Sequence, residues 1–175
     1  EALYWVLEPV HFLHHVITKY KVTTMVDVGA GDPLRLFTFS WRFHGLEYTA
    51  LDLQAKFAQK NEEFYPQAKF PMRRYVTGDA MNGLDRTYDL VLCRNVFEYL
   101  PESEVYALLA VFQQSGSGLL LASYFDGAAA LASDDREQGY KPRVRSLTDP
   151  PFSFPAPLES AVDKDNNLNF FSSQK

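Results

Sequence analysis

Apolar positions change their period several times along the chain, and each change marks a predicted element. Val10, Leu13, Val16 and Ile17 recur at helical spacing and predict a helix over about 8–19, with Pro9 in its first turn, where a missing N–H costs little. A short apolar strand, Met25-Val26-Asp27-Val28, runs into Gly29-Ala30-Gly31-Asp32-Pro33. Asp32 is a good N-cap and Pro33 a good first helical residue, so a helix is expected to about His44, stopped by Gly45. Glu47 to Leu51 predicts a second strand ending at Asp52, and a polar helix follows over about 54–64. Arg73 to Thr77 predicts a third strand ending at Gly78-Asp79, and Tyr88 to Cys93 a fourth, strongly apolar one. Glu102 to Gln114 places Val105, Leu108, Leu109 and Phe112 on one helical face, and Gly118 to Phe125 reads as a fifth strand.

Strands alternating with helices imply parallel βαβ units and an α/β fold. Continuous apolar runs such as Leu90-Val91-Leu92 and Leu119-Leu120-Leu121 suit strands covered on both faces. The pattern changes after Phe125. Ala128 to Gly139 is small and acidic, and Tyr140 to Pro157 carries five prolines, which suits an irregular covering segment. Leu158 to Val162 and Leu168 to Ser172, joined by the polar turn Asp163 to Asn167, fit an antiparallel hairpin closing the sheet edge. The expectation is one domain over 1–175: an N-terminal helix (1–21), a core (22–125), a covering segment (126–157) and a C-terminal strand pair (158–175).

Composition narrows the partners. The chain has 175 residues, 46% hydrophobic and 22% charged, and can bury a sizeable core. A formal net charge of −5 provides no general field for nucleic acid or an anionic membrane. No apolar run approaches the roughly 20 residues of a membrane span. With a single cysteine, Cys93, no intrachain disulfide can form, and the expected compartment is the reducing cytoplasm. The oligomeric state is not legible.

The candidate chemistry lies at the strand ends. Gly29 and Gly31 let backbone approach a ligand closely, and the helix N-terminus after them favours an anionic group. A dinucleotide site calls for G-x-G-x-x-G, but Leu34 holds the third position, so the loop favours D-x-G-x-G over NAD binding. Pro33 departs from the longer form of that pattern, D-x-G-x-G-x-G, and a plain strand-to-helix turn is the competing explanation. Asp52, about twenty residues further on, can accept from both ribose hydroxyls, although an acid there serves NAD equally and can also cap the next helix. Gly78-Asp79-Ala80 offers a carboxylate to an adenine amino group and a backbone N–H beside it; alone it is a common turn, and its weight comes from standing third in series.

The order VDVGAGDP, TALD, TGDA and YDLVLCRNVFEYLP, covering about 22–125, resembles the class I S-adenosylmethionine (AdoMet)-dependent methyltransferases. The resemblance implies a Rossmann-like three-layer sandwich with a mostly parallel seven-stranded sheet whose last strand is antiparallel. It implies AdoMet contacts from Asp27, Gly29, Ala30, Gly31, Asp52, Leu53, Asp79 and Ala80, with Arg94 and Asn95 beside the methionine end. The product would be S-adenosyl-L-homocysteine and the acceptor a small molecule, with no nucleic acid or membrane partner. CRNVFEYL is also similar to the chemotaxis-receptor glutamate methyltransferases, which would bring Tyr99 near the transferred methyl. The segments Tyr140-Lys141-Pro142-Arg143 and Asp149 to Pro155 resemble a stretch that precedes a final strand pair in small bacterial methyltransferase-like proteins, as a complete small domain would have.

Other features fit blander roles beside sharper ones. His11 and His15 share a helical face, but a metal site needs further ligands and no metal is expected. The N-terminal helix, with Tyr4 and Trp5, is a candidate cover for the site. Cys93 suits a small buried thiol better than a nucleophile. Arg73 and Arg74 should face opposite sides of their strand. Tyr140, Lys141, Arg143 and Arg145 form a basic cluster that suits either an acidic substrate or a solvated loop. Glu98 and Tyr99, after the fourth strand, are the candidate catalytic pair, as base or acceptor-orienting groups. Two alternatives remain beside the methyltransferase: a methyltransferase-like binding or scaffolding protein without turnover, and a NAD-dependent oxidoreductase.

Overall fold

Apolar strands too hydrophobic for a solvated face must be covered on both sides, and the chain does this with one sheet between two helical layers. The computed structural model of the protein describes residues 4–32, 45–124, 147–162 and 167–172, with side chains over 10–32, 45–123 and 147–161. Among these residues the elements are α1 (Tyr4–Lys19), β1 (Thr24–Val28), β2 (Glu47–Asp52), α2 (Ala55–Phe64), β3 (Arg73–Thr77), β4 (Leu90–Cys93), α3 (Glu102–Gln114), β5 (Leu119–Tyr124), β6 (Glu159–Val162) and β7 (Asn167–Ser172). They form one seven-stranded sheet in the order β3-β2-β1-β4-β5-β7-β6. β1 to β5 are mutually parallel, whereas β7 runs antiparallel to β5 and to β6.

Alternation along the strands divides the core. Val26, Val28, Val91 and Cys93 face Val105, Leu108 and Phe112 of α3. Met25, Tyr48, Ala50, Leu90 and Leu92 face Leu13 and Val16 of α1 on the other side. Glu102 and Glu104 in the first turn of α3 complement its dipole. The part of the covering segment that is described packs on the α3 side. Leu147 is fully buried there, and Phe152 and Phe154 join the same cluster.

Two boundaries differ from the sequence pattern. α1 begins at Tyr4, so Pro9 lies inside the helix and not in its first turn. There it removes one backbone hydrogen bond. β4 begins at Leu90 because Tyr88 and Asp89 are bonded elsewhere. The Tyr88 N–H donates to Ser117 Oγ and its hydroxyl to Asp85 Oδ1 (2.8 Å). Asp89 Oδ2 accepts from the Thr23 and Thr24 N–H groups. Arg73 and Arg74 do diverge: Arg73 is buried against the Tyr65 and Phe70 rings, and Arg74 is exposed and paired with Asp85. The helix expected from Pro33 to His44 and the basic cluster from Tyr140 to Arg145 lie outside the described residues.

Candidate functional site

Strand order reverses between β1 and β4, and open α/β sheets bind ligands at the carboxyl ends of the strands beside such a reversal. A cavity of about 670 Å³ lies there. Its wall takes Gly29 from the end of β1, Asp52 and Leu53 from β2, Asp79 and Ala80 from β3, and Asn95 and Tyr99 from beyond β4. That volume suits a nucleoside-sized ligand. Asp27, Ala30, Gly31, Arg94 and Glu98 are not part of the wall.

Asp52 and Asp79 are both oriented by backbone. Asp52 Oδ2 accepts from the Gly31 N–H (3.0 Å) and Oδ1 from the Gln54 N–H (2.8 Å). Asp79 Oδ1 accepts from the Met81 N–H (2.9 Å), at the start of a 3-10 turn over Ala80–Asn82. Each carboxylate keeps further lone pairs for a ligand's hydroxyl or amino group. The Gly78 N–H donates to the Asp52 carbonyl, which locks the two strand ends together.

The N–H groups of the glycine loop are engaged within the fold. Those of Gly29 and Ala30 both donate to the Leu51 carbonyl, and that of Gly31 to Asp52. They are engaged in holding the loop to β2. What Gly29 permits is the close approach of Val96: it has φ +71°, and a Cβ there would fall 2.6 Å from Val96 Cγ2.

Behind the wall lies a group of charges in low dielectric. Asp27 is 3% exposed and accepts from the Tyr48 hydroxyl (2.8 Å). Burial raises its pKa from 3.8 to about 6, against the opposing Tyr48 hydrogen bond and Arg94 guanidinium; the Asp52 charge adds to the rise. Glu98 is 2% exposed in a 3-10 turn over Phe97–Tyr99, and its Oε2 has no partner among the described residues. Burial raises its pKa from 4.5 to about 7, with Arg94 opposing. Tyr99, 44% exposed, borders the cavity. The candidate catalytic pair is thus divided between a buried acid and an exposed phenol. Asn95 takes φ +56°, and Ser123 Oγ receives its N–H (2.7 Å).

Other candidates stand away from the cavity. No described α1 residue lines it, and the side chains of Tyr4 and Trp5 lie outside the described residues. His15 of α1 instead meets Glu159 of β6 at 2.7 Å, joined there by Tyr20 and Lys19. Burial pushes the Cys93 thiol well above its usual range, so it is not a thiolate nucleophile.

Sequence reasoning missed Gln54, Met81, Val96, Leu100, Glu104 and Leu108 in the wall. Leu108 carried a visible signal, but as a core position, and it serves both roles. Met81 follows the Gly-Asp turn by two residues, and that offset could have found it.

The parallel order 3-2-1-4-5, the appended antiparallel strand and a cavity at the carboxyl rim define a Rossmann-like architecture. The sequence pattern of the methyltransferase domain family matches residues 26–115, and the chain belongs to that family. No curated protein sequence matches the chain significantly. Among solved structures it is similar to magnesium protoporphyrin IX methyltransferase of Synechocystis PCC 6803 with bound SAM (14% identity, TM-score 0.67, 94% of this chain and 77% of that one). It is also similar to the pyocyanin biosynthetic protein PhzM (14%, 0.68, 91% and 53%) and to the methyltransferase domain of bacterial CtHen1-CN (11%, 0.67, 94% and 97%). At such identities the likeness is one of fold. The chain spans less than two thirds of several such structures, 57% of a second magnesium protoporphyrin IX methyltransferase structure and 65% of CtHen1-C. No described helix is long and apolar enough to cross a membrane.

Proposed function

We propose that this chain folds as one domain that binds AdoMet in the carboxyl-edge cavity and transfers its methyl group to an O, N or C atom of a small-molecule acceptor. The observation that carries this reading is that the glycine turn after β1 and the acids ending β2 and β3 border one cavity. The SAM held by the Synechocystis relative, in a shared fold, supports the same cofactor. Asp52 would accept from the ribose hydroxyls, Asp79 from the adenine amino group, and Leu53 and Met81 would cover the base. Asp27, once ionised, would draw the methionine ammonium from behind the wall, directly or through a water, with Arg94 and Asn95 at that end.

When bound, AdoMet supplies a methyl group made electrophilic by its sulfonium; an acceptor lone pair displaces it in line, and the C–S electrons return to sulfur. The protein's share is then to position the acceptor and exclude water. Tyr99 borders the cavity and is placed to touch a substrate. Glu98, buried outside the cavity wall with its pKa raised to about 7, would take up a proton from a protonated acceptor only through a relay such as Tyr99 or a water.

Isothermal titration with AdoMet and with S-adenosyl-L-homocysteine tests the reading. Saturable binding of both at one site is the expected result. A well-folded protein that binds neither would overturn it and favour the scaffold. Stronger thermal stabilisation by NADH than by S-adenosyl-L-homocysteine would return the oxidoreductase.

A further inference from the structure

We infer that Asn61 of α2 is a positioning residue for the cofactor loop: its amide holds the Gly31 carbonyl while Asp52 holds the Gly31 N–H. The inference rests on the proposed cofactor site and adds to it a residue outside the cavity. Asn61 lies inside an otherwise polar helix and is 2% exposed. Its Nδ2 donates to the Gly31 carbonyl (3.3 Å) and to the Phe57 carbonyl one turn back (2.8 Å). Both partners are carbonyls, so the amide orientation is fixed; turned over, its oxygen would face two acceptors. Its Oδ1 is left buried with no partner among the described residues.

An unmade buried acceptor lowers stability, and an apolar side chain of the same shape would avoid that loss. What the amide contributes instead is geometric. Gly31 sits at φ +60°, in the left-handed region. Its two neighbouring peptide groups are gripped from opposite sides, by Asp52 at N–H and Asn61 at C=O. Lys60, one residue earlier on α2, pairs with Asp32 at 3.5 Å just beyond. The carboxylate assigned to the ribose is therefore aligned by a loop that α2 holds in place before any ligand arrives. Preorganisation of this kind raises affinity by lowering the ordering cost of binding.

The test is Asn61→Asp, which keeps size but removes the donor when ionised, compared with Asn61→Leu. At pH 8 both variants should bind S-adenosyl-L-homocysteine about tenfold more weakly than wild type, the loss of one hydrogen bond. Near pH 5 the introduced carboxyl takes up a proton and regains one of the two donors, so N61D should recover part of its loss relative to wild type at the same pH while N61L does not. A structural role alone would leave the N61D and N61L ratios to wild type unchanged with pH. In ligand-free protein, Gly31 and Asp32 amide hydrogen exchange should quicken about tenfold in N61D at pH 8, with amides of β4 and α3 unchanged. Wild-type affinity in both variants, or equal acceleration at every amide, would overturn the clamp. If wild type binds no cofactor, the proposed function fails, and the exchange pattern alone decides the clamp.

Discussion

Replacing Asp27 by asparagine should shift ligand-free stability and cofactor affinity in opposite directions. The acid is sealed under Tyr48, and burial raises its pKa from 3.8 to about 6. The folded state holds this proton more tightly than the unfolded chain does. Its contribution to stability is therefore complete below pH 3.8 and is lost as pH rises through about 6, amounting to about 3 kcal/mol. The amide in D27N has no charge to bury. At pH 7.5 the ligand-free variant should be more stable by roughly 2–3 kcal/mol, a rise in Tm of about 5–10 °C for a chain of this size. Glu98 titrates in the same range, and the difference between wild type and variant at each pH cancels it. Binding should respond the other way. If the ionised carboxylate holds the methionine ammonium, wild-type affinity should fall about tenfold between pH 7 and pH 5, where about a tenth of Asp27 is charged. Above pH 8 it should fall again as the ligand's amino group, with a pKa of about 8, loses its proton. D27N should bind about tenfold or more weakly at pH 7.5 and lose the acid limb altogether. Calorimetric titration from pH 5 to 8.5, with thermal melts at each pH, measures both arms. A variant that binds AdoMet with wild-type affinity and the wild-type pH profile would refute the assignment of Asp27.

Asp52→Ala should weaken S-adenosyl-L-homocysteine binding by about 1.5–3 kcal/mol by calorimetry, through lost ribose contacts and a released Gly31 N–H; unchanged affinity would count against the ribose assignment. Gly29→Ala should cost about 1–3 kcal/mol in thermal or denaturant unfolding, since φ +71° strains a side chain and its Cβ meets Val96. Adding Val96→Ala should relieve the contact but not the strain, so full recovery in the double variant would contradict the φ argument. Glu98→Gln should match wild-type stability at pH 4 and exceed it at pH 8 by roughly 2–3 kcal/mol, because the Glu98 contribution is complete below 4.5 and lost as pH rises through about 7. Equal Tm differences at the two pH values would show that folding does not raise the Glu98 pKa.

Most of the sheet was legible because its strands carry continuous apolar runs, and a run such as Leu119-Leu120-Leu121 can be satisfied only between two covering layers. Boundaries slipped where a polar side chain captured backbone groups. Tyr88 extends the apolar pattern of β4 on paper, but its bond to Ser117, and those of Asp89 to Thr23 and Thr24, end the ladder at Leu90. Tyr48 was equally hidden: at its place in the alternation of β2 it reads as a core residue, and nothing in the pattern reveals that its hydroxyl caps a buried acid.

The candidate site was legible for a topological reason. Parallel strands joined by crossovers must all end on one edge, so acids at the ends of β2 and β3 converge once each strand is placed, however far apart they lie in sequence. That logic reaches side chains at strand ends and no further. Asn61 lies in the middle of a polar helix, where composition predicts a solvated face, yet it is as buried as the core and bonded to the Gly31 carbonyl. Sequence pattern thus finds the groups that face the ligand, whereas the groups that hold them in place are fixed by packing between elements. Asn61→Leu separates the two kinds: it leaves the cavity wall unchanged, so a weakened cofactor there would locate binding energy in the support as well as in the contact.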